Sequence, residues 1–228
     1  MRFYEFYFVF EYSLKELLAR KGIWFSNILF GVSLCVLFSF ALGPELSANA
    51  RVSNGVFWAI SECVIALSLG HLYTAENESH MFEVILASGI KPINIFFGKC
   101  IFTTFQTLSL ITPICMIWAL LFNIKNALNI FHLFLILFPL FSLSAAIIGT
   151  LISSLTHSNP LKELMFSIIF FPLQLITILC CVQLTNFTSN TSDFIVINSN
   201  PWWTILISFP IIFLLLGFLL SHFMFQDQ

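Results

Sequence analysis

Apolar runs long enough to cross a bilayer, separated by short polar breaks, set the rhythm of this chain. A helix needs about 20 mostly apolar residues to cross the hydrocarbon. No charge occurs between Lys21 and Glu45, which predicts a first span near 23–42. Residues 56–75 predict a second, interrupted only by Glu62. The uncharged stretch from Lys99 to Lys125 gives a third near 100–122, and 126–161 holds a fourth near 130–154. "LMFSIIFFPLQLITILCCVQL" (164–184) reads as the fifth span and "PWWTILISFPIIFLLLGFLLSHF" (201–223) as the sixth. Spans three to six each carry an internal proline: Pro113, Pro139, Pro172 and Pro210. Proline kinks a helix and frees a carbonyl that neighbouring helices must satisfy, so these spans belong in a packed bundle.

Two further segments have helical periodicity but too much charge to cross. In residues 3–20, Phe3, Phe6, Phe10, Leu14 and Leu17 fall within one arc at 100° per residue. Glu5, Glu11, Lys15, Glu16 and Arg20 occupy the other side. The pattern predicts an amphipathic helix in the membrane interface, leading into the first span. The second segment, 76–96, lies between spans two and three. Glu76 and Glu78 suit the first turn of a helix, Gly89 a stop, and Pro92 the first turn of the next helix. Between them Met81, Phe82, Val84, Ile85 and Leu86 give a short helix an apolar face. A plain connection could be about five residues long. The insert therefore reads either as a docking element for a soluble partner or as a helix resting on headgroups. On the other side, 185–200 reads as an ordinary loop or a re-entrant turn.

Composition fixes the class. Hydrophobic residues make up 59% of the 228 and charged residues 9%, whereas a soluble domain carries about 25% charged residues. This composition cannot furnish a water-facing surface, so the chain is expected to be an all-α integral membrane protein in the lipid bilayer. A net charge of −2 argues against a nucleic-acid partner. With the N-terminus inside, cytoplasmic segments hold Arg2, Lys15, Arg20, Lys21, Lys91, Lys99 and Lys162, seven of the nine basic residues. The positive-inside rule then puts both termini and the insert 76–96 in the cytoplasm. No signal peptide is expected, since Glu5 and Glu11 interrupt the N-terminus.

Chemistry is sparse. The six cysteines sit in apolar runs without zinc-site or haem-attachment spacing, and read as small buried residues. The five histidines are scattered, so no metal site is expected. Gly98-Lys99 is followed by Cys100, so there is no P-loop and no ATPase of the chain's own. An enzyme reading has almost nothing to rest on. Glu62 is the one acid inside a span, and an intramembrane ionisable group is a functional candidate by default. The alternative is a structural carboxyl, protonated or hydrogen-bonded to another helix. His71, nine residues on, is a second intramembrane polar candidate that does not face Glu62. Trp202-Trp203 at the outer end of span six fits an aromatic belt.

The stretch "FALGPELSANARVSNGVFWAISECVIALSLGHLYTAENESHMFEVILASGIKPINIFFGK" resembles the cytochrome c maturation protein B family, the haem exporter B permeases. The likeness rests on Gly43-Pro44-Glu45, the G-x-x-W of Gly55 to Trp58, the acidic insert with Glu76 and Glu83, and Gly98-Lys99. "FFPLQLITIL", with Pro172-Leu173, resembles that family's fifth span. Length and span count agree over nearly the whole chain. The resemblance implies an ABC-2-like permease: a non-catalytic membrane subunit in the bacterial inner membrane, with a separate cytoplasmic P-loop ATPase. It further implies other cytochrome c maturation membrane proteins as partners, including a haem-handling subunit and a haem chaperone. Haem is then a substrate of the complex, crossing the membrane or leaving on a released chaperone, and no cofactor is expected on this chain.

On this reading the insert is a coupling helix, with Glu76, Glu78, Phe82, Glu83, Ile85, Leu86, Lys91 and Lys99 as its partner-binding residues. Two other classes stay open: an ABC-2-like exporter of another substrate, and a proton-coupled secondary transporter using Glu62. An inverted repeat would favour the latter, and none is evident between 23–122 and 130–223.

Overall fold

The computed structural model describes residues 3–19, 21–47, 49–70, 92–122, 127–156, 162–190 and 200–220. These form seven helices: α1 (Phe3–Ala19), α2 (Lys21–Ser47), α3 (Ala50–Gly70), α4 (Pro92–Leu121), α5 (Ala127–Thr156), α6 (Lys162–Asn190) and α7 (Pro201–Leu220). The last six are each long and apolar enough to cross a membrane, as the runs predict. The chain is an all-α, multi-pass membrane protein.

Several helix ends depart from the hydropathy reading, each for a local reason. α2 runs on past residue 42, but through a break at Gly43, whose φ of 70° and ψ of 174° are essentially closed to residues with a Cβ. Pro44 follows and starts a last short turn, where its missing N–H costs nothing. α3 begins at Ala50, six residues before the predicted 56, because Asn49 caps it. The Asn49 side-chain oxygen accepts from Arg51 N–H at 3.1 Å, and its carbonyl accepts from Ser53 N–H at 3.0 Å. α4 opens at Pro92, as expected. α6 continues to Asn190, so the first six residues of the expected outer loop 185–200 are helical. Residues 191–199 lie outside the described set.

α3 is the central post, packing against α2, α4, α5 and α6. Around it Phe57, Trp58, Trp118, Phe134, Phe138 and Phe141 form one aromatic cluster, with centroid separations from 4.8 to 6.0 Å. Lipid tails are as apolar as these rings, so close packing rather than burial from water holds such helices together. Small residues allow it. A methyl on Gly149 of α5 would run into Leu69 of α3, and one on Gly217 of α7 into the ring of Phe96 of α4. α2 and α7 are the least buried spans and lie at the periphery.

α1 does form a helix, but its buried stripe is rotated from the predicted arc. Val9 and Ser13 are fully buried against α4, where Val9 packs with Ile95, Phe96 and Cys100, while Leu14 and Leu18 are exposed. Phe10 keeps a partly buried place, edge-on to Phe105 at 5.9 Å. Apolar residues stand on most sides of this helix, so contact with α4, not the wheel alone, sets its rotation. On the outward face Glu11 and Lys15 pair at 2.7 Å.

Candidate functional site

α3 carries two faces of different character. Ser53, Ile60, Val64 and Ser68 recur at helical spacing on the side of α2 and α4. Phe57 stands at the edge of that stripe, packing on Trp118 of α4 and on Phe134 and Phe138 of α5. The carbonyl of Ser53 accepts from Trp118 Nε1 at 3.0 Å, and Ser68 Oγ accepts from Gln106 Nε2 at 2.7 Å. Val64 sits beside Gly31 of α2. Glu62 is about 180° away from that stripe at 100° per residue, on the face turned to α5 and α6.

Contacts above and below fix the level of Glu62. On α5, Trp58 meets Phe138 and Phe141, at 6.0 and 4.9 Å, and further along Leu69 abuts Gly149 and its carbonyl accepts from Ser153 Oγ at 3.2 Å. α3 and α5 thus run in the same direction, and Glu62 stands level with the turn that starts at Ser142. On α6, Asn54 Nδ2 donates to Asn186 Oδ1 at 2.9 Å and Trp58 Nε1 donates to Thr185 Oγ1 at 3.4 Å. α6 therefore runs antiparallel to α3, and Cys181, one turn from Thr185, comes within electrostatic reach of Glu62.

The polar atoms at this level are buried without protein partners. Glu62 is 2% exposed, and Ser142, Ser144 and Gln174 are fully buried. No described group hydrogen-bonds either oxygen of Glu62, the hydroxyls of Ser142 and Ser144, or either end of the Gln174 amide. A buried polar group left unsatisfied costs about 1–3 kcal/mol, so such a cluster is not neutral packing. Gln174 shares one α6 stripe with Cys181 and Thr185, the stripe that faces α3. Ser142 shares its α5 stripe with Phe138, Ala145 and Gly149, which also faces α3. Sequence reasoning picked out Glu62 but missed Ser142 and Gln174. Their signal was a polar residue two or three positions after a mid-span proline, Pro139 and Pro172.

Of the other site residues singled out from the sequence, Lys99 alone is among those described. Glu76, Glu78, Phe82, Glu83, Ile85, Leu86, Lys91 and His71 lie outside the described residues. Lys99, expected on the partner-binding segment, stands two turns into α4, is 2% exposed, and is engaged by interactions within the chain. All six cysteines are free thiols, five of them buried. Among the described residues no group of three or more His, Cys, Asp or Glu could hold a metal.

Six apolar spans around a central post with a polar face define a multi-pass membrane protein. The family model for the CcmB protein matches residues 4–222, nearly the whole chain. The chain belongs to the CcmB family and is a haem exporter component of cytochrome c biogenesis. No curated protein matches it. No solved structure matches it either.

Proposed function

We propose that this chain is the membrane subunit of an ABC-type complex, coupling ATP hydrolysis on a separate cytoplasmic P-loop ATPase to haem delivery for cytochrome c maturation. The observation that carries the reading is the charged insert between α3 and α4, whose sequence pattern predicts a helix, in a CcmB-family chain whose sequence has no P-loop. An ATP-driven transport subunit without its own nucleotide site takes its mechanical input from a partner. An amphipathic segment on the basic, cytoplasmic side is where that partner would bear. The same charge bias supports an inner-membrane location with both termini cytoplasmic. Haem is the substrate of the complex, and its other members are cytochrome c maturation membrane proteins and a haem chaperone.

If residues 76–88 dock into the ATPase, Phe82, Ile85 and Leu86 carry most of the affinity, as buried apolar anchors do. Phe82→Ala with Ile85→Ala then releases the ATPase while the spans still insert. Glu83→Lys weakens binding less, and more at low salt than at high salt. The measurement is co-purification of the ATPase from membranes at two ionic strengths. Wild-type recovery with the double variant refutes the coupling assignment and leaves the insert lying on lipid.

A further inference from the structure

Glu62, Ser142 and Gln174 bring unpartnered polar atoms from α3, α5 and α6 to nearly one level of the bundle. Asn54 against Asn186 and Gly70 against Phe166 bracket Glu62 on the antiparallel α6 and put it level with about residue 176, so Gln174 lies within a turn of it. Ser142 stands near that level on the side of α5 that faces α3, whereas Ser144, about 200° further round the helix, looks away from the seam. One carboxyl, one hydroxyl and one amide suit a bound water, which needs two to four polar partners, whereas a hard metal cation takes six or more oxygens. Prolines mark the same stretch on both flanking helices. Pro139 precedes Ser142 by three residues and Pro172 precedes Gln174 by two. Each removes one backbone hydrogen bond and gives its helix a place to bend.

We propose that the seam between α3, α5 and α6 opens to water at Pro139 and Pro172, and that Glu62 exchanges a proton there, as an intramembrane proton-binding site. In the exchange the O–H bond of the carboxyl breaks, its electron pair stays on the carboxylate, and the proton passes to water as hydronium; the reverse restores the acid. The described groups around Glu62 are few. Cys181 faces it from α6, and Cys63 adjoins it on α3. The buried length of α5 from Leu133 to Thr156 has no titratable residue. Cys35 of α2 and Cys115 and Lys99 of α4 belong to helices packed on the opposite face of α3. Among the described residues the seam has no base of its own, so the proton is the one positive charge it supplies to this carboxyl.

The test uses membranes containing the wild-type chain, with and without the ATPase, treated with dicyclohexylcarbodiimide. This lipid-soluble reagent attacks protonated carboxyls, and the labelled peptide is read by mass spectrometry. Glu62 should be labelled, with labelling falling several-fold as the pH is raised from mildly acidic to mildly alkaline. Glu62→Gln should remove the label. In parallel, Ser142→Cys should react with methanethiosulfonate ethylammonium several-fold faster than Cys35 of the same chain, a fully buried thiol outside the seam. No label on Glu62, or a label indifferent to pH, overturns the proposal; so does a Ser142→Cys thiol no faster than Cys35. If that variant fails to accumulate, the wild-type labelling alone decides. Failure of the exchange in membranes without the ATPase leaves the coupling reading untouched, because nothing in this test depends on it.

Discussion

The close packing of α5 on α3 predicts a measurable coupling between two residues. A methyl on Gly149 would lie 2.5 Å from Leu69 Cδ1, whereas ordinary contact begins at 3.4 Å, a shortfall of 0.9 Å (3.4 minus 2.5). Leu69 is fully buried and cannot swing away. Overpacking of this kind costs about 1–3 kcal/mol, and the better helix propensity of alanine returns up to about 1. Gly149→Ala should therefore destabilise by about 1–2 kcal/mol. Leu69→Ala alone should cost about 2–5 kcal/mol for the cavity it leaves. Combined, the new methyl enters the vacated space, so the double variant should be no worse than Leu69→Ala. That is a favourable coupling of about 1–2 kcal/mol. Unfolding in mixed micelles, followed by tryptophan fluorescence, gives the four stabilities. Gly55→Ala is the control, since a methyl there meets nothing within 4 Å and should be neutral or mildly stabilising. Additivity of the two changes within about 0.5 kcal/mol would show that α3 and α5 do not meet as described.

The two buried indoles should differ in what their N–H contributes. Trp118→Phe removes a 3.0 Å bond to the Ser53 carbonyl, which keeps only its bond within the helix, while Trp58→Phe loses a longer 3.4 Å contact to Thr185. In the same unfolding assay Trp118→Phe should be the more costly by about 1 kcal/mol, and the reverse order would mean that the Trp118 bond is not formed. The purified chain alone should not turn over ATP, and turnover by a partner-free preparation, measured as phosphate release, would show a nucleotide site that its sequence does not reveal.

The six spans were legible because uncharged runs of the right length have few other uses in a chain this apolar. What hydropathy could not see was polar sequence satisfied inside the bundle. Arg51, Ser53 and Asn54 look like loop residues, yet they are helical. Asn54 bonds to Asn186 and the Ser53 carbonyl to Trp118, partners 132 and 65 residues away. The continuation of α6 past Leu184 has the same origin, since Thr185 and Asn186 are held by α3. α1 was legible as a helix but not in its rotation, because Val9 and Leu14 are equally apolar and only α4 distinguishes them. For the candidate site, a lone acid in an apolar run pointed to Glu62. Ser142 and Gln174 carry no such mark until three helices are laid side by side.

The central position of α3 has a consequence for how the chain enters its membrane. It is the least apolar of the six spans and holds Arg51, Asn54 and Glu62, each unfavourable in lipid. A nascent α3 leaving the translocation machinery would expose those groups to acyl chains before α5 and α6, its polar partners, had been synthesised. α2, by contrast, is strongly apolar and is joined to α3 by only a residue or two around the Asn49 cap. The two are thus suited to enter as a hairpin, the outer helix escorting the inner one. α3 would then be held at the membrane until the later helices close around it. During synthesis the peripheral helix is a chaperone for the post, and only afterwards does the post organise the bundle.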